Sequence, residues 1–167
     1  MRLCSDLHLN RSDFDYTLPA ELIVPRGAAR VVARSHGGTT AVQYEIVAPY
    51  PADAFLADVE SRMKERGWQV MEKDFMNPTI PTSNVRGWEA FIDSSVSPPV
   101  AVHQWLGDWR RQNGDVVSYA LRYSQTANGT TREPPLPGTP DLHVTAFLIP
   151  AAQAQAMAAE ARKLGGK

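Results

Sequence analysis

Residues 101–124 read AVHQWLGDWRRQNGDVVSYALRYS, and this stretch decides the fold because two alternating apolar runs flank a turn. A two-residue loop at Asn113 and Gly114 would scatter the apolar residues over both faces of the hairpin. A three-residue loop, 112–114, brings them to one face and places glycine at the left-handed bulge position. The three-residue loop predicts these pairs: Trp109 with Val117, Gly107 with Tyr119, Trp105 with Leu121, His103 with Tyr123, and Arg111 with Asp115.

Four large aromatic side chains share one face of this predicted hairpin, namely Trp105, Trp109, Tyr119 and Tyr123. Aromatic residues at strand spacing are usually buried in a core. Tryptophan and tyrosine are also concentrated at the centres of protein interfaces. Two interpretations therefore stay open: these residues belong to the core, or they form a face that binds a partner or a flat ligand. They are the candidate binding residues.

A second hairpin is predicted upstream, where residues 29–47 read ARVVARSHGGTTAVQYEIV. The Gly37-Gly38 pair lies between two alternating runs, and both positions of a tight hairpin turn require positive φ, which glycine adopts readily. The resulting register predicts these neighbours: Ala33 with Val42, Val31 with Tyr44, Ala29 with Ile46 and, on the other face, Arg30 with Glu45.

The rest of the chain predicts two helices and further strands. Residues 51–66 carry an apolar stripe at helical spacing and end before Gly67. Pro150 begins a final, alanine-rich helix with a thin apolar stripe. Residues 68–72, 88–92 and 142–149 are strand candidates, and the last is apolar on both sides, as in a central strand. We predict an α+β fold in which an antiparallel sheet of five to seven strands packs on the helix at 51–66, in the order ββαβ(β)βββα.

The length of 167 residues suits one domain. We divide it into an irregular N-terminal arm at 1–28, a single α+β domain at 29–149, and a C-terminal helix and tail at 150–167. The arm and the tail helix each carry little apolar surface. We therefore expect a protein partner or a second copy of the chain to hold at least one of them.

Composition excludes several classes of protein. The chain has 17 basic and 18 acidic residues, so no basic excess favours nucleic-acid binding. Its single cysteine excludes an internal disulfide, and no apolar run reaches the roughly 18–20 residues of a membrane span. Without a visible signal peptide the default expectation is a cytoplasmic protein. A processed, exported form would make Cys4 a lipid-anchor candidate, but Leu3 stands where glycine or alanine is usual, so we expect no anchor.

The opening sequence MRLCSDLHLN resembles the first motif of calcineurin-like metallophosphoesterases. The resemblance implies that Asp6 and His8 bind a metal. That family also requires Gly-Asn-His and Gly-His-x-His motifs, and this sequence contains neither. A two-metal centre needs several ligands held together. We therefore expect no catalytic metal and no cofactor.

Residues 142–145, LHVT, resemble half of the signature of two-histidine phosphoesterases. The resemblance implies a hydrolase that uses His143 and Thr145. The family places a second His-x-Thr or His-x-Ser on a facing strand, and none of the other three histidines has a hydroxyl residue at that offset. General acid and general base catalysis need two groups. The expected function is therefore a non-catalytic interaction or accessory domain in a larger assembly, with a small phosphoesterase-type hydrolase as the alternative.

Overall fold

The computed structural model describes residues 19–25, 28–47, 52–95, 97, 99–126 and 140–165. All strands in these ranges join one antiparallel sheet of order β1-β2-β7-β6-β5-β3, and β4 pairs with β5 as well. The predicted α+β class, with an antiparallel sheet and a C-terminal helix, is confirmed. The elements are β1 (Ala29–His36), β2 (Thr39–Val47), α1 (Ala52–Glu65), β3 (Gln69–Met71), α2 (Ser83–Arg86), β4 (Glu89–Asp93), β5 (Val100–Arg110), β6 (Val116–Thr126), β7 (Pro140–Ile149) and α3 (Ala151–Gly165).

The hairpin of β5 and β6 has the predicted loop and register. Gly114 adopts φ +96°, and the Arg111 N–H donates to the Asp115 carbonyl at 2.9 Å, which closes the three-residue loop. Register follows because only this loop length keeps the apolar residues on one side. All four predicted strand pairs occur: Trp109 with Val117, Gly107 with Tyr119, Trp105 with Leu121 and His103 with Tyr123.

The hairpin of β1 and β2 turns at the predicted glycine pair. Gly37 and Gly38 have φ values of +57° and +85°, in the region that a two-residue hairpin loop requires. Ala33 lies opposite Val42 as predicted. The turn and the adjacent half of the hairpin are therefore confirmed.

The register prediction is wrong at the start of β1. Ala29 lies opposite Glu45 and not opposite Ile46, because the register shifts between positions 29 and 32. Arg30 has φ +53° there, so the strand bulges by one residue. The predicted contact of Arg30 with Glu45 nevertheless forms, at 3.3 Å.

One side of the sheet, called the core face, carries the main apolar core. Helix α1 contributes Phe55, Val59 and Met63 to that core, each fully buried. The ring of Phe55 meets that of Tyr44 edge-on, with 6.4 Å between their centroids. The strand residues of this core alternate along β2, β5, β6 and β7, and they include Val42, Ile46, Trp105, Trp109, Val117, Tyr119, Leu121, Leu142, Val144 and Ala146.

The described end of the predicted N-terminal arm lies inside this core. Leu22, Ile23 and Val24 are 1%, 0% and 0% exposed. The Tyr44 hydroxyl donates to the Ile23 carbonyl at 2.5 Å, and the Tyr119 hydroxyl accepts from the Ile23 N–H at 2.8 Å. Burial raises the pKa of the Tyr119 phenol, which stays protonated. Sequence reasoning did not predict this burial, because three apolar residues in an irregular segment show no period.

A short helical turn, α2, fills a gap on the outer edge of β5. Strand β3 pairs with residues 108–110 of β5, and β4 pairs with residues 100–104. Between them, Ser83 Oγ accepts from the Leu106 N–H at 2.9 Å, and Asn84 Oδ1 accepts from the Asp108 N–H at 2.8 Å. The sequence predicted no helix between residues 66 and 150. Side chains of α2 satisfy backbone donors that would otherwise lack a partner.

Helix α3 covers one end of the opposite side of the sheet, which we call the open face. Its Ala154 is buried with Val116 and Ile149, and Met157 packs against that cluster. The helix begins where the Ala151 N–H donates to Asp115 Oδ1 at 2.9 Å, so the β5–β6 loop caps it. The remainder of the open face carries the polar side chains described next.

Candidate functional site

A row of polar side chains crosses the open face beyond the part covered by α3. Glu45 lies opposite His143, His143 opposite Arg122, Arg122 opposite Gln104, and Gln104 opposite Glu89. Residues paired across antiparallel strands project to the same side of the sheet. Five strands therefore contribute one side chain each to a single line, and we call these five residues the polar row.

Glu45 anchors the polar row at its β2 end and is only 9% exposed. Its Oε1 lies 3.4 Å from His143 Nδ1 and 3.3 Å from Arg30 Nη1. Its Oε2 is buried without a hydrogen-bond partner among the described residues. One oxygen of the carboxylate thus contacts the His143 imidazole and orients it. The His143 side chain is 58% exposed. This leaves Nε2 as the ring nitrogen available to a ligand.

Arg122 leans in the other direction, toward β5. Its Nη2 donates to Gln104 Oε1 at 2.7 Å, and its Cζ lies 5.7 Å from the centroid of the exposed Phe91 ring. Hydrogen bonds from Ser95 are the main cause that lowers the pKa of the nearby Asp93 carboxyl, and the positive charge of Arg122 lowers it further. His143 thus contacts a side chain of β2, whereas Arg122 contacts a side chain of β5.

A second line of side chains runs parallel to the polar row. On the strands that the two lines share, its members lie two residues closer to α3. It consists of Val32, Gln43, Thr145, Ala120 and Leu106, each opposite the next. Val32 and Leu106 are 43% and 45% exposed, so they add apolar surface beside the polar row. At the β1–β2–β7 end, a shallow pocket of about 270 Å³ is lined by residues of both lines.

Three of the four predicted aromatic binding residues lie in the core. Trp105, Trp109 and Tyr119 are 1%, 1% and 0% exposed, and they contact one another edge-on or tilted with 5.7 Å between neighbouring centroids. They present almost no surface to a partner in this structure. These three side chains are therefore core residues.

Tyr123, the fourth aromatic residue, is partly exposed. Its ring stacks on His103 at 4.7 Å and meets Trp88 edge-on at 5.3 Å. The Trp88 indole N–H in turn donates to Asp53 of α1 at 3.0 Å. Tyr123 is thus tied into a half-buried aromatic cluster and is separate from the polar row, which lies on the other side of the sheet.

The structure places His143 and Thr145 side by side on the open face, but it brings no second described histidine to them. His103 projects to the core face, and β6 separates its strand from β7, so the two rings are about 10 Å or more apart. His36 pairs with Thr39 at the far end of β2, six residues from Glu45, or about 20 Å along the strand. His8 lies outside the described residues.

The candidate anchor residue Cys4 and the candidate metal ligands Asp6 and His8, for which the sequence led us to expect neither role, lie outside the described ranges. Within those ranges, no three histidine, cysteine, aspartate or glutamate side chains are grouped so that they could hold a metal ion. None of the helices in the described part of the chain is both long and apolar enough to cross a bilayer.

Sequence reasoning missed most of the polar row. It singled out His143 and it paired Arg30 with Glu45, but it did not link Glu45 to His143 or His143 to Arg122. Those links depend on β7 lying between β2 and β6. The available signal was the alternation of β7, whose polar positions had to face either solvent or other polar side chains.

The chain matches no protein-family model, no curated protein and no solved structure.

Proposed function

We propose that this chain is a non-catalytic interaction domain that binds a protein partner on its open face, around the polar row. The observation that supports the proposal is that exposed cationic and exposed aliphatic side chains share this surface. Arg30 has 76% of its side chain exposed, and Val32 and Leu106 are nearly half exposed. Protein interfaces combine arginine with apolar side chains in this way.

The charges of the open face favour an acidic partner. Arg30, Arg34 and Arg122 are exposed there, while the carboxylate of Glu45 is buried and contacts Arg30. Glu89, at the far end, is neutralised by Arg86 at 2.6 Å. Complementary charge steers association and sets specificity. A protein partner is favoured over a nucleic acid because the net charge is −1 and aliphatic side chains lie among the arginines.

The experiment combines affinity capture from the native host with cross-linking of the captured complex. The open-face variant carries Leu106→Ser and Arg122→Ser, both at exposed positions. The matched control carries Ile80→Ser and Lys64→Ser, which are also exposed but lie outside the sheet faces. We expect cross-links from an acidic segment of the partner to the open face. We also expect at least tenfold weaker binding of the purified partner by the open-face variant, and unchanged binding by the control.

Three results would contradict the proposal. Cross-links that map to another surface would exclude the open face as the binding site. Equal losses in the two double variants would show that binding does not depend on these side chains. A complex formed only with nucleic acid would replace the protein partner with a different class.

A second candidate, a small hydrolase, is favoured by one observation. Glu45 contacts Nδ1 of His143, so His143 is oriented as a general base, and Thr145 lies on the same face two residues away. The test is hydrolysis of bis-p-nitrophenyl phosphate by the purified chain and its His143→Gln, Thr145→Ala and His36→Gln variants. Turnover that H143Q and T145A abolish and H36Q retains would support this candidate. Absence of turnover above the buffer rate, or equal turnover in H143Q, would count against it.

A further inference from the structure

We propose that His143 and Arg122 form a carboxylate-recognition site, which binds an aspartate or glutamate side chain of the protein partner. This inference rests on the proposed function and names the chemistry by which the same face recognises its partner. It is argued from the charge, the donors and the spacing of the polar row.

The first step is that two nitrogen donors lie next to each other in the polar row. Arg122 and His143 are direct cross-strand partners, so their β-carbons lie about 5 Å apart. When the His143 ring carries both protons the two groups have like charges, and an anion bound between them would remove their repulsion.

The second step is that the rest of the polar row is already neutralised. Glu45 has Arg30 at 3.3 Å, and Glu89 has Arg86 at 2.6 Å. Arg122 donates to a neutral acceptor, the Gln104 amide, and the carboxylate of Asp93, whose pKa Arg122 helps to lower, offsets part of its charge. Arg122 is therefore the member of the row whose guanidinium has no direct carboxylate contact of its own among those described here.

The third step is the supply of hydrogen-bond donors. A guanidinium has five N–H donors, and the bond to Gln104 uses one of them. Nε2 of His143 donates when the ring carries both protons, while Nδ1 is directed at Glu45. Each group can therefore give one bond to the same ligand.

The fourth step is the space between the two groups. His143 is drawn toward β2 and Arg122 toward β5, and the next line of side chains offers only Ala120 and Thr145 as a floor at this point. A planar carboxylate has two oxygens and can accept one bond from each donor. Leu106 beside this space suits the aliphatic stem of an aspartate or glutamate side chain.

The experiment is an NMR titration of the full chain at pH 5.5. The probe is the blocked peptide acetyl-Ala-Glu-Ala-amide, whose one carboxylate is a side chain. The neutral control peptide has glutamine in place of glutamate, and inorganic phosphate is a third ligand. We expect saturable shifts of the His143 ring and the Arg122 Nε–H signals with the glutamate peptide, at least fivefold weaker binding of phosphate, and no saturation with the glutamine peptide.

Protein variants assign the effect to the two side chains. We expect Arg122→Gln and His143→Gln each to weaken peptide binding at least fivefold. Lys64→Gln, an exposed cation of α1 on the other side of the sheet, should leave binding unchanged. If Arg122→Gln or His143→Gln fails to fold by circular dichroism, Arg122→Lys becomes the test of the site. The lysine keeps the charge but loses the planar fork of the guanidinium, so this variant should bind the peptide two- to fivefold more weakly.

The possible failures of the two proposals can be told apart. Equal shifts with the glutamine peptide, tighter binding of phosphate, or unchanged binding in R122Q would overturn the carboxylate site, even if a partner is captured on the open face. Conversely, peptide binding at His143 and Arg122 in a chain that captures no partner on this face would support the site and contradict the proposed interaction function.

Discussion

The indole ring of Trp105 lies against Gly107 so closely that a β-carbon at position 107 would be 2.1 Å from its Cη2 atom. The same β-carbon would be 2.8 Å from Asn84 Oδ1 on α2. Trp105 is 1% exposed and packs tilted against Trp109, so the ring has no free space to enter. Glycine at 107 is therefore required by the core, because its lack of a side chain is what admits the tryptophan.

Replacing Gly107 by alanine should destabilise the fold by about 1–3 kcal/mol, the usual cost of overpacking a core. The measurement is the free energy of unfolding in urea, followed by tryptophan fluorescence. Gly165→Ala is the matched control, because no atom lies within 4 Å of its β-carbon position. A loss no larger in G107A than in G165A would show that Trp105 does not occupy this space.

The hydroxyls of Tyr44 and Tyr119 should stabilise the fold, because each makes a buried hydrogen bond to the backbone of Ile23. Tyr119→Phe removes the acceptor of the Ile23 N–H and leaves a buried donor without a partner, which costs about 1–3 kcal/mol. We expect the Ile23 amide to exchange with solvent faster in this variant, as measured by hydrogen exchange.

Tyr44→Phe is the matched comparison, since Tyr44 donates to the carbonyl of the same residue. It should destabilise the chain without comparable acceleration of the Ile23 amide, because it leaves that N–H bonded. The two losses should not add fully in the double variant, since both act on one peptide segment. Equal Ile23 exchange in the wild type and Y119F would contradict the arrangement.

The buried carboxyl of Asp108 should make stability depend on pH. Burial raises its pKa to about 6, against hydrogen bonds from Ser118 and the Phe75 backbone that favour the charged form. The folded state therefore binds this proton more tightly than the unfolded state, whose aspartate pKa is about 3.9. By linkage, stability from this group is fully present below about pH 4 and is lost as pH rises through 6, by about 1–3 kcal/mol.

Asp108→Asn should consequently raise the melting temperature at pH 7.5 by a few degrees, because the amide keeps an acceptor oxygen and carries no charge. The gain should shrink between pH 6 and pH 4, where the wild-type carboxyl is itself neutral. Asp93→Asn serves as the control, because Ser95 lowers the pKa of that exposed carboxyl. No gain for D108N at pH 7.5, or a gain that grows toward pH 4, would contradict the predicted linkage.

Helix α3 should open more readily than α1. Three side chains of α1, Phe55, Val59 and Met63, are fully buried, whereas Ala154 is the only residue of α3 classed as buried. Local opening is easier where few apolar contacts must break. Hydrogen exchange followed by mass spectrometry should show lower protection in α3 at low protein concentration, with α1 as the internal reference.

Protection of α3 also tests the expectation that a second copy holds one end of the chain. If copies associate through α3, its protection should rise with protein concentration, in parallel with a larger mass in light scattering. A monomer at all concentrations, with α3 protected as well as α1, would show that the helix is held by its own domain.

The two hairpins show which parts of a strand register can be predicted from local sequence. In residues 101–124 the loop length, the glycine at 114 and the apolar alternation all favour one register, and every predicted pair forms. In residues 29–47 the same reasoning predicted the turn but failed at Ala29, because no local signal marks the bulge at Arg30. Prediction succeeded where turn geometry and burial of one face agree, since a slip by one residue would then expose the apolar side.

The sequence by itself determined the α+β class, the order of the strands and of the two longer helices, the two hairpin turns and the aromatic pairs of β5 and β6, because these depend on residues close together along the chain. Only the tertiary structure decided that Leu22–Val24 enter the core, that Trp105 and Trp109 are covered, and that Glu45, His143 and Arg122 share one line. The physical reason is that the line needs β7 between β2 and β6, a pairing across about a hundred residues. That order is set by the burial of whole strands against one another, and no short stretch of sequence encodes it.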